Sequence, residues 1–278
     1  MHIAMGGAQE LIGSGNLIPN GFAMLRDRSF LVVNNSADGG IWRISGKSSS
    51  AQTEPFLMEV DGRQLVGVNF VLLDNLERLW ITITSFLAFS GPIDRRSRDG
   101  YIVVVEKGDA RVVADGLCWT NECRLHPDGQ TLYVIETFGR RLLTYHVGKN
   151  GDLSNKKTLV EFEDGDFPDG LTFDTEGAVW VTSVFSNRLI RLTPDLQRQL
   201  LIEDADESLA EFETAFQDNV LDRSILHKSK GGNRLWNISS VAFGGPDLRT
   251  VYLGCLGGKT IQTFQSPVSG VAPSHWNW

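Results

Sequence analysis

Cysteine is scarce. The 278 residues hold three, Cys118, Cys123 and Cys255. They form no C-x-x-C pair and no zinc spacing, so neither a disulfide framework nor a zinc cluster organises the chain. A sparse, odd set suits a reducing compartment, and the cytoplasm is the expected location. No apolar run reaches the roughly 18 residues of a membrane span, so no membrane partner is expected. The N-terminal stretch MHIAMGGAQELIGSG has no basic region followed by an apolar core, and no signal peptide is expected. Positive charge is also short. There are 26 Lys and Arg against 34 Asp and Glu, a formal net charge of −8. A nucleic-acid partner would leave a basic footprint, and none is visible. No G-x-S-x-G elbow, G-x-G-x-x-G or P-loop occurs, which leaves a serine triad or a nucleotide cofactor without support. The expected partner is a small-molecule substrate.

Turn residues and short β-branched runs are what the chain has in quantity. The 29 glycines serve tight turns. The stretch FPDGLTFDTEGAVWVTSVFSNRLIRLTP, Phe167 to Pro194, shows the grammar in full. A Pro-Asp-Gly turn leads to strand 171–173, a polar turn to strand 178–184, and another turn to strand 188–193. The run 200–203 can close the set as a fourth strand. Strands of this length between Gly, Asn and Asp turns make one antiparallel meander, the size of a propeller blade. The grammar recurs from Ile18, Gly67, Gly116 and Asn237, giving five visible units. The anchors Asn20, Asn69, Asn121 and Asp169 stand about 50 residues apart, as in propeller arrays, and the longer interval of 68 before Asn237 holds an insertion. We therefore expect one all-β propeller domain over residues 1–278. A strand from Glu10 to Ile12 could complete the last blade at ring closure.

Two segments depart from the repeat. Residues 86–99 form a polar insertion, long for a hairpin loop. Residues near 205–228 predict an inserted helix, with Ser208 and Glu211 as a capping box. Leu209, Phe212, Phe216 and Val220 make its apolar stripe. We expect this helix to lie over one end of the propeller.

The residue that opens each innermost strand sits at the channel mouth, so equivalent positions form a ring. Here the ring reads Asn20, Asn69, Asn121 and Asp169, joined by Asn237 or Ser239. Asn-Gly and Asp-Gly are ordinary turn formers, which is the bland reading of any one of them. Four at equivalent places favour a shared task. Amide and carboxylate oxygens converging on one axis suit a hard divalent cation, calcium first, with zinc, manganese and magnesium as alternatives. Glu122 can add a second carboxylate. Trp119 stands two residues before Asn121 and is either a channel wall or a core residue. Glu136 and Arg140 predict an ion pair at a blade edge. His126, in an HPDG turn, is expected in solvent. The remaining histidines, His275 among them, share no spacing and receive no metal role.

At these residues the chain resembles the senescence-marker-protein/gluconolactonase/luciferin-regenerating family. The Phe167–Pro194 stretch is similar to its P-D-G-x-x-x-D-x-E-G-x-x-W-V segment, and SSVAFGGPDLRTVYLG to its T-S-x-A-F-G-G-x-D segment. The resemblance implies a six-bladed propeller with one divalent cation in the channel and hydrolysis of sugar lactones. It implies metal binding by Asn121 and Asp169, substrate contact by Asn69, and Asp169 as a general base. There are departures. The family's first-blade Glu ligand has no counterpart, and Asn20 stands in its place or belongs to the next blade. The family's substrate Arg is Gly67, and the Gly after the metal-binding Asn is Glu122. One ligand is thus lost and one carboxylate gained, so Glu122 can substitute as a ligand or serve beside Asp169 as a second catalytic carboxylate; Asn20 and Trp119 are further expected substrate contacts. They also keep open a metal-free or non-hydrolytic enzyme, or a propeller without catalysis, on the same scaffold.

Overall fold

The turn-rich repeat folds into antiparallel meanders. The computed structural model describes residues 2–3, 9–10, 17–46, 50–84, 93, 95–222, 232–276 and 278. The chain opens with a two-stranded ribbon, β1 (His2–Ile3) paired with β2 (Gln9–Glu10). Glu10 thus pairs within the N-terminal segment and not with the last blade, as was expected of it; residues 11–12 lie outside the described residues. Blade one holds β3 (Pro19–Met24), β4 (Phe30–Asn34), β5 (Ile41–Ser45) and β6 (Gln52–Leu57). A ribbon follows, β7 (Glu59–Val60) with β8 (Arg63–Gln64). Blade two holds β9 (Val68–Leu73), β10 (Leu79–Ile83), β11 (Gly100–Glu106) and β12 (Asp109–Leu117). Blade three holds β13 (Thr120–Leu125), β14 (Thr131–Glu136), β15 (Arg141–Val147) and β16 (Leu153–Glu161). Blade four holds β17 (Pro168–Phe173), β18 (Val179–Ser183), β19 (Arg188–Leu192) and β20 (Arg198–Glu203). Blade five holds β21 (Ile238–Gly244), β22 (Thr250–Cys255) and β23 (Gln262–Gln265).

Apolar faces between successive blades make the core. Val71 and Ile81 of blade two meet Leu31 and Val33 of blade one, and Trp180 of blade four meets Phe243 of blade five. The inner strands β3, β9, β13, β17 and β21 each pack on the next. Among the described residues, β21 does not pack on β3 in the same way. There are thus five blades among the described residues where the resemblance implied six. Phe22 of blade one and Tyr252 of blade five are exposed.

The D-x-E-G-x-x-W segment has a structural cause. Asp174 Oδ1 accepts the N–H groups of Glu176 and Ala178, closing the turn. Its Oδ2 accepts Trp180 Nε1 at 2.8 Å and Arg191 Nε at 2.7 Å. Blade two repeats this. Asp74 Oδ2 accepts Trp80 Nε1 at 2.9 Å and Arg78 Nε at 2.7 Å. A buried carboxylate saturated with donors costs little to keep charged, so it can hold a turn against a tryptophan in the core.

The predicted helix is α1 (Ser208–Gln217); residues 223–228 lie outside the described residues. Phe212, Ala215 and Phe216 are its buried positions, whereas Val220 falls beyond its end and is exposed. Ser208 does not form the predicted capping box. The cap residue is Glu207, without a side-chain bond, and Asp206 takes over. Its carboxylate accepts the Ser208 hydroxyl and the Ser208 N–H, a charged acceptor where the helix leaves donors unpaired. The helix packs on Phe138, Phe167, Val184 and Phe185, above blades three and four, as the expectation of a cap required. Ile93 of the insertion joins it through Leu221. Arg140 pins the cap. It pairs with Asp164 and Glu213 and lies over the rings of Phe167 and Phe216. The expected Glu136–Arg140 pair is therefore absent. Glu136 pairs with Arg141, its cross-strand partner in register, because Arg140 lies in the turn and points to the helix.

At the other end, residues 269–276 and 278 form a strap. Val271 N–H bonds Phe173 O, Ser274 Oγ bonds Leu73 O, and the Arg26 guanidinium sits over Trp278. No described helix is long and apolar enough to cross a membrane. Replacing Asp174 by Ala should strip Trp180 and Arg191 of their shared partner and cost about 3–5 kcal/mol. Urea unfolding measures it, and a loss below about 1 kcal/mol would show that the turn holds without the carboxylate.

Candidate functional site

Every inner strand carries one extra residue near its start. In blade one Pro19 faces Asn34 and Phe22 faces Val32, so three steps on β3 match two on β4. The same shift falls between Val68 and Phe70, Thr120 and Cys123, Pro168 and Leu171, and Ile238 and Ser240. A β-bulge breaks the regular alternation of faces and re-aims a side chain. The bulged residues are those the sequence put in the ring: Asn20, Asn69, Asn121 and Asp169. Ser239 completes it, and Asn237 stands outside, one residue before β21. All five line one channel of about 1090 Å³, bounded at the far end by Val271 to Trp276 of the strap.

Threonines hold two of the amides. Asn69 Nδ2 donates to Thr84 Oγ1 at 3.0 Å, and Asn121 Nδ2 donates to Thr137 Oγ1 at 2.9 Å. The Thr84 hydroxyl is itself committed as donor to Thr120 O. Its oxygen must therefore accept from Asn69, which leaves Asn69 Oδ1 as a free acceptor among the described residues. Such oxygens suit a cation or a substrate hydroxyl.

Glu122 and Asp169 are the two carboxylates at the ring; Asp74, which also lines the channel, is taken up by Arg78 and Trp80. Glu122 occupies the bulge position that is Gly21 in blade one and Gly170 in blade four. At those glycines a Cβ would come within 2.6 Å of Phe70 and 2.5 Å of Ser239 O, so the neighbouring blade forbids a side chain there. Glu122 is accommodated because Oε2 accepts Leu171 N–H at 3.3 Å, and Gly170 opposite leaves room. Burial pushes the Glu122 carboxyl up, against the pull of Arg124 and of the Leu171 N–H. Burial, and then the negative charge of Glu122, push Asp169 well above the ordinary carboxylate range, against a hydrogen bond from Asn121. The two groups thus repel when both ionise.

Other expectations distribute differently. Trp119 is not on the channel wall. Its ring packs edge-on against Phe138 at 4.9 Å, within the aromatic cluster under α1. His126 is not free in solvent. It is half-buried, stacks on Tyr133 and bonds Asp128. Arg124, which the sequence reading did not name, and His275, which it left without a role, also line the channel. Arg124 lies three residues past the ring position on the same inner strand, a spacing that counts as inward only once the bulge is known. Nothing local marks His275.

The donor set suits a hard divalent cation: two buried carboxylates, amide oxygens held by threonines, and a repulsion that a cation would relieve. Among the described residues no three His, Cys, Asp or Glu side chains converge, so amide oxygens would have to complete the set.

The family model described as the SMP-30/Gluconolactonase/LRE-like region matches residues 5–203, and the chain belongs to this family. A Bacillus subtilis (strain 168) protein, YvrE, named as a sugar lactone lactonase, is 25% identical over 197 residues, covering 69% of this chain and 55% of its own. The chain thus spans about half the length of that curated relative. The solved gluconolactonase XC5397 of Xanthomonas campestris superposes with a TM-score of 0.66 at 17% identity, over 90% of this chain and 73% of that one. A calcium-binding protein, regucalcin, from Agrobacterium tumefaciens str. C58, superposes with a TM-score of 0.58 at 15% identity, over 91% and 77%. At those identities the two structures speak to the fold.

The raised carboxylates predict an unusual pH dependence. The ordinary values are 3.8 for Asp169 and 4.5 for Glu122, and both rise on folding. Above the ordinary values the folded state holds protons that the unfolded chain has released. Stability is then fully present below them and is lost as pH rises through the raised values. Urea midpoints should drop as pH rises above the ordinary carboxylate values, and Glu122→Gln should reduce that drop. An equal drop in both proteins would mean that the two carboxylates are not coupled.

Proposed function

We propose that this chain is a hydrolase of a lactone or related cyclic ester, acting in the channel with a divalent cation, calcium first. The observation that carries the reading is the ring itself, a bulge at one height in every blade that turns Asn20, Asn69, Asn121, Asp169 and Ser239 onto one axis. Family membership and the lactonase names of the relatives support the reaction class. The calcium-binding neighbour supports the cation. A reducing compartment such as the cytoplasm fits the three free cysteines.

Asn121 and Asp169 would hold the cation, with Glu122 or Asn20 in place of the missing Glu. When bound, a divalent cation supplies Lewis-acid polarisation of the ester carbonyl and a lowered pKa for water. The chain's own residues do the rest. Asp169 in its ionised form is the general base that takes the proton of the attacking water on a carboxylate oxygen. Glu122, whose Oε2 accepts Leu171 N–H, is the second carboxylate of the site and in its protonated form can give a proton to the leaving oxygen. Asn69 and Asn121, locked by Thr84 and Thr137, orient the substrate through their amide oxygens. The cap over blades three and four and the strap below restrict water.

One observation favours a second reading. Two coupled, buried carboxylates are a self-sufficient acid–base pair, which suits a metal-free or non-hydrolytic ring opening or isomerisation on the same scaffold.

Metal content of the purified protein, with lactone hydrolysis assayed before and after chelation, separates the two. Stoichiometric cation with activity lost on chelation supports the first reading; turnover that survives chelation supports the second. Asp169→Asn should lower kcat by about 100-fold or more with an unchanged circular dichroism spectrum. Retained activity in that variant would exclude Asp169 as the base.

A further inference from the structure

We propose that Arg124 is an anion-binding residue of the channel, and that the natural ligand carries an oxyanion, carboxylate, sulfonate or phosphate, at the end remote from the Asn–Asp ring. The proposal deepens the lactone-hydrolase reading by naming a substrate class, and rests on it only for the chemistry at the ring.

Arg124 lies on β13 below the ring, towards the strap, and lines the same channel as Asn121 and Asp169. Its position is fixed from both sides. Nε donates to Leu171 O of β17 at 3.1 Å, and Cζ sits 4.8 Å over the Phe70 ring of β9. A guanidinium so held is already oriented before any ligand arrives, which lowers the entropy lost on binding. Its hydrogen bonds are largely unspent. Of five N–H donors, one goes to Leu171 O and one reaches Glu122 Oε2 at 3.4 Å. Charge-assisted N–H···O bonds are normally about 2.7–2.9 Å, so that contact is a loose one. Among the described residues the other donors have no partner.

The other basic side chains of the channel are differently placed. Arg78 is buried and bound to Asp74 at 2.7 Å. His126 is 2.9 Å from Asp128. His275, on the strap, is held towards its neutral form by burial and by the charge of Arg124. A neutral imidazole near the guanidinium can donate to the same anion without adding repulsion. Glu122 and Asp169 face Arg124 from the ring side, and Asp74 is spent on Arg78 and Trp80. The side away from the ring therefore has an uncommitted positive charge and no free carboxylate among the described residues. The channel volume stands at the upper end of small-molecule pockets, enough for a ligand that reaches from ring to Arg124.

Glucarate, gluconate and 6-phosphogluconate test the idea by calorimetry on the full chain with its cation present. Gluconate has one carboxylate, which the ring can take. Glucarate adds a carboxylate at the far end and 6-phosphogluconate adds a phosphate. At least one of the two should bind about 10-fold or more tightly than gluconate, and which one identifies the oxyanion. Arg124→Gln should collapse that ratio, and Arg124→Lys should restore part of it. Equal binding of all three by the unaltered protein, or binding of none, overturns the proposal. So does an Arg124→Gln variant that weakens all three alike, since that is the behaviour of a residue that merely neutralises Glu122. The outcome is independent of turnover. An intact preference in a protein without lactone hydrolysis would remove the hydrolase reading and leave the anion site standing.

Discussion

The rest of the structure depends on a backbone irregularity, the bulge that each inner strand carries near its start. A regular strand turns alternate side chains to opposite faces, and in a blade both faces pack on neighbours. A polar side chain there would be buried against apolar core. One extra residue per inner strand breaks the alternation and turns that residue to the axis. Repetition at one height in all five blades converts five separate turns into a ring of oxygen atoms. Because the ring stands on strands and not on loops, its positions are set by the ladder and by props such as Thr84 and Thr137.

The carboxylates sort by how many donors they receive. Asp74 and Asp174 are buried but saturated, each with two turn N–H groups, a tryptophan and an arginine. They serve the fold. Asp169 and Glu122 are in the same protein interior with far fewer donors, and each disfavours the ionised form of the other. Unsatisfied charge of that kind costs stability and is kept where a ligand, a cation or a proton transfer makes use of it. Arg124 has the complementary excess, donors without acceptors.

The ring is not symmetric in its surroundings. Helix α1 and its phenylalanines cover blades three and four, where Asn121, Glu122 and Asp169 lie. The strap closes the opposite end by bonding to blades two and four.

Much of this was legible in the chain. Short β-branched runs with Gly, Asn and Asp turns specify meanders because turn geometry and alternation are local properties. The recurring Asn and Asp named the ring because equivalent positions in a repeat must become equivalent in space. The stripe Leu209, Phe212, Phe216 announced a helix, though its cap is Asp206 and not the Ser208 box, since two nearby acceptors compete for the same donors. Other features were not legible. The role of Trp119 turned on whether an aromatic cluster formed above it. Arg140 and Arg141 are adjacent in sequence, and only the register decided that Arg141 meets Glu136. The number of blades followed from which inner strands pack on each other. Arg124 and His275 reach one channel from positions about 150 residues apart, which no local pattern encodes. The sequence by itself determined the repeat, the ring and its residue types, because these rest on neighbours along the chain. The tertiary structure alone decided which charges are satisfied, because desolvation and pairing depend on what other blades bring alongside.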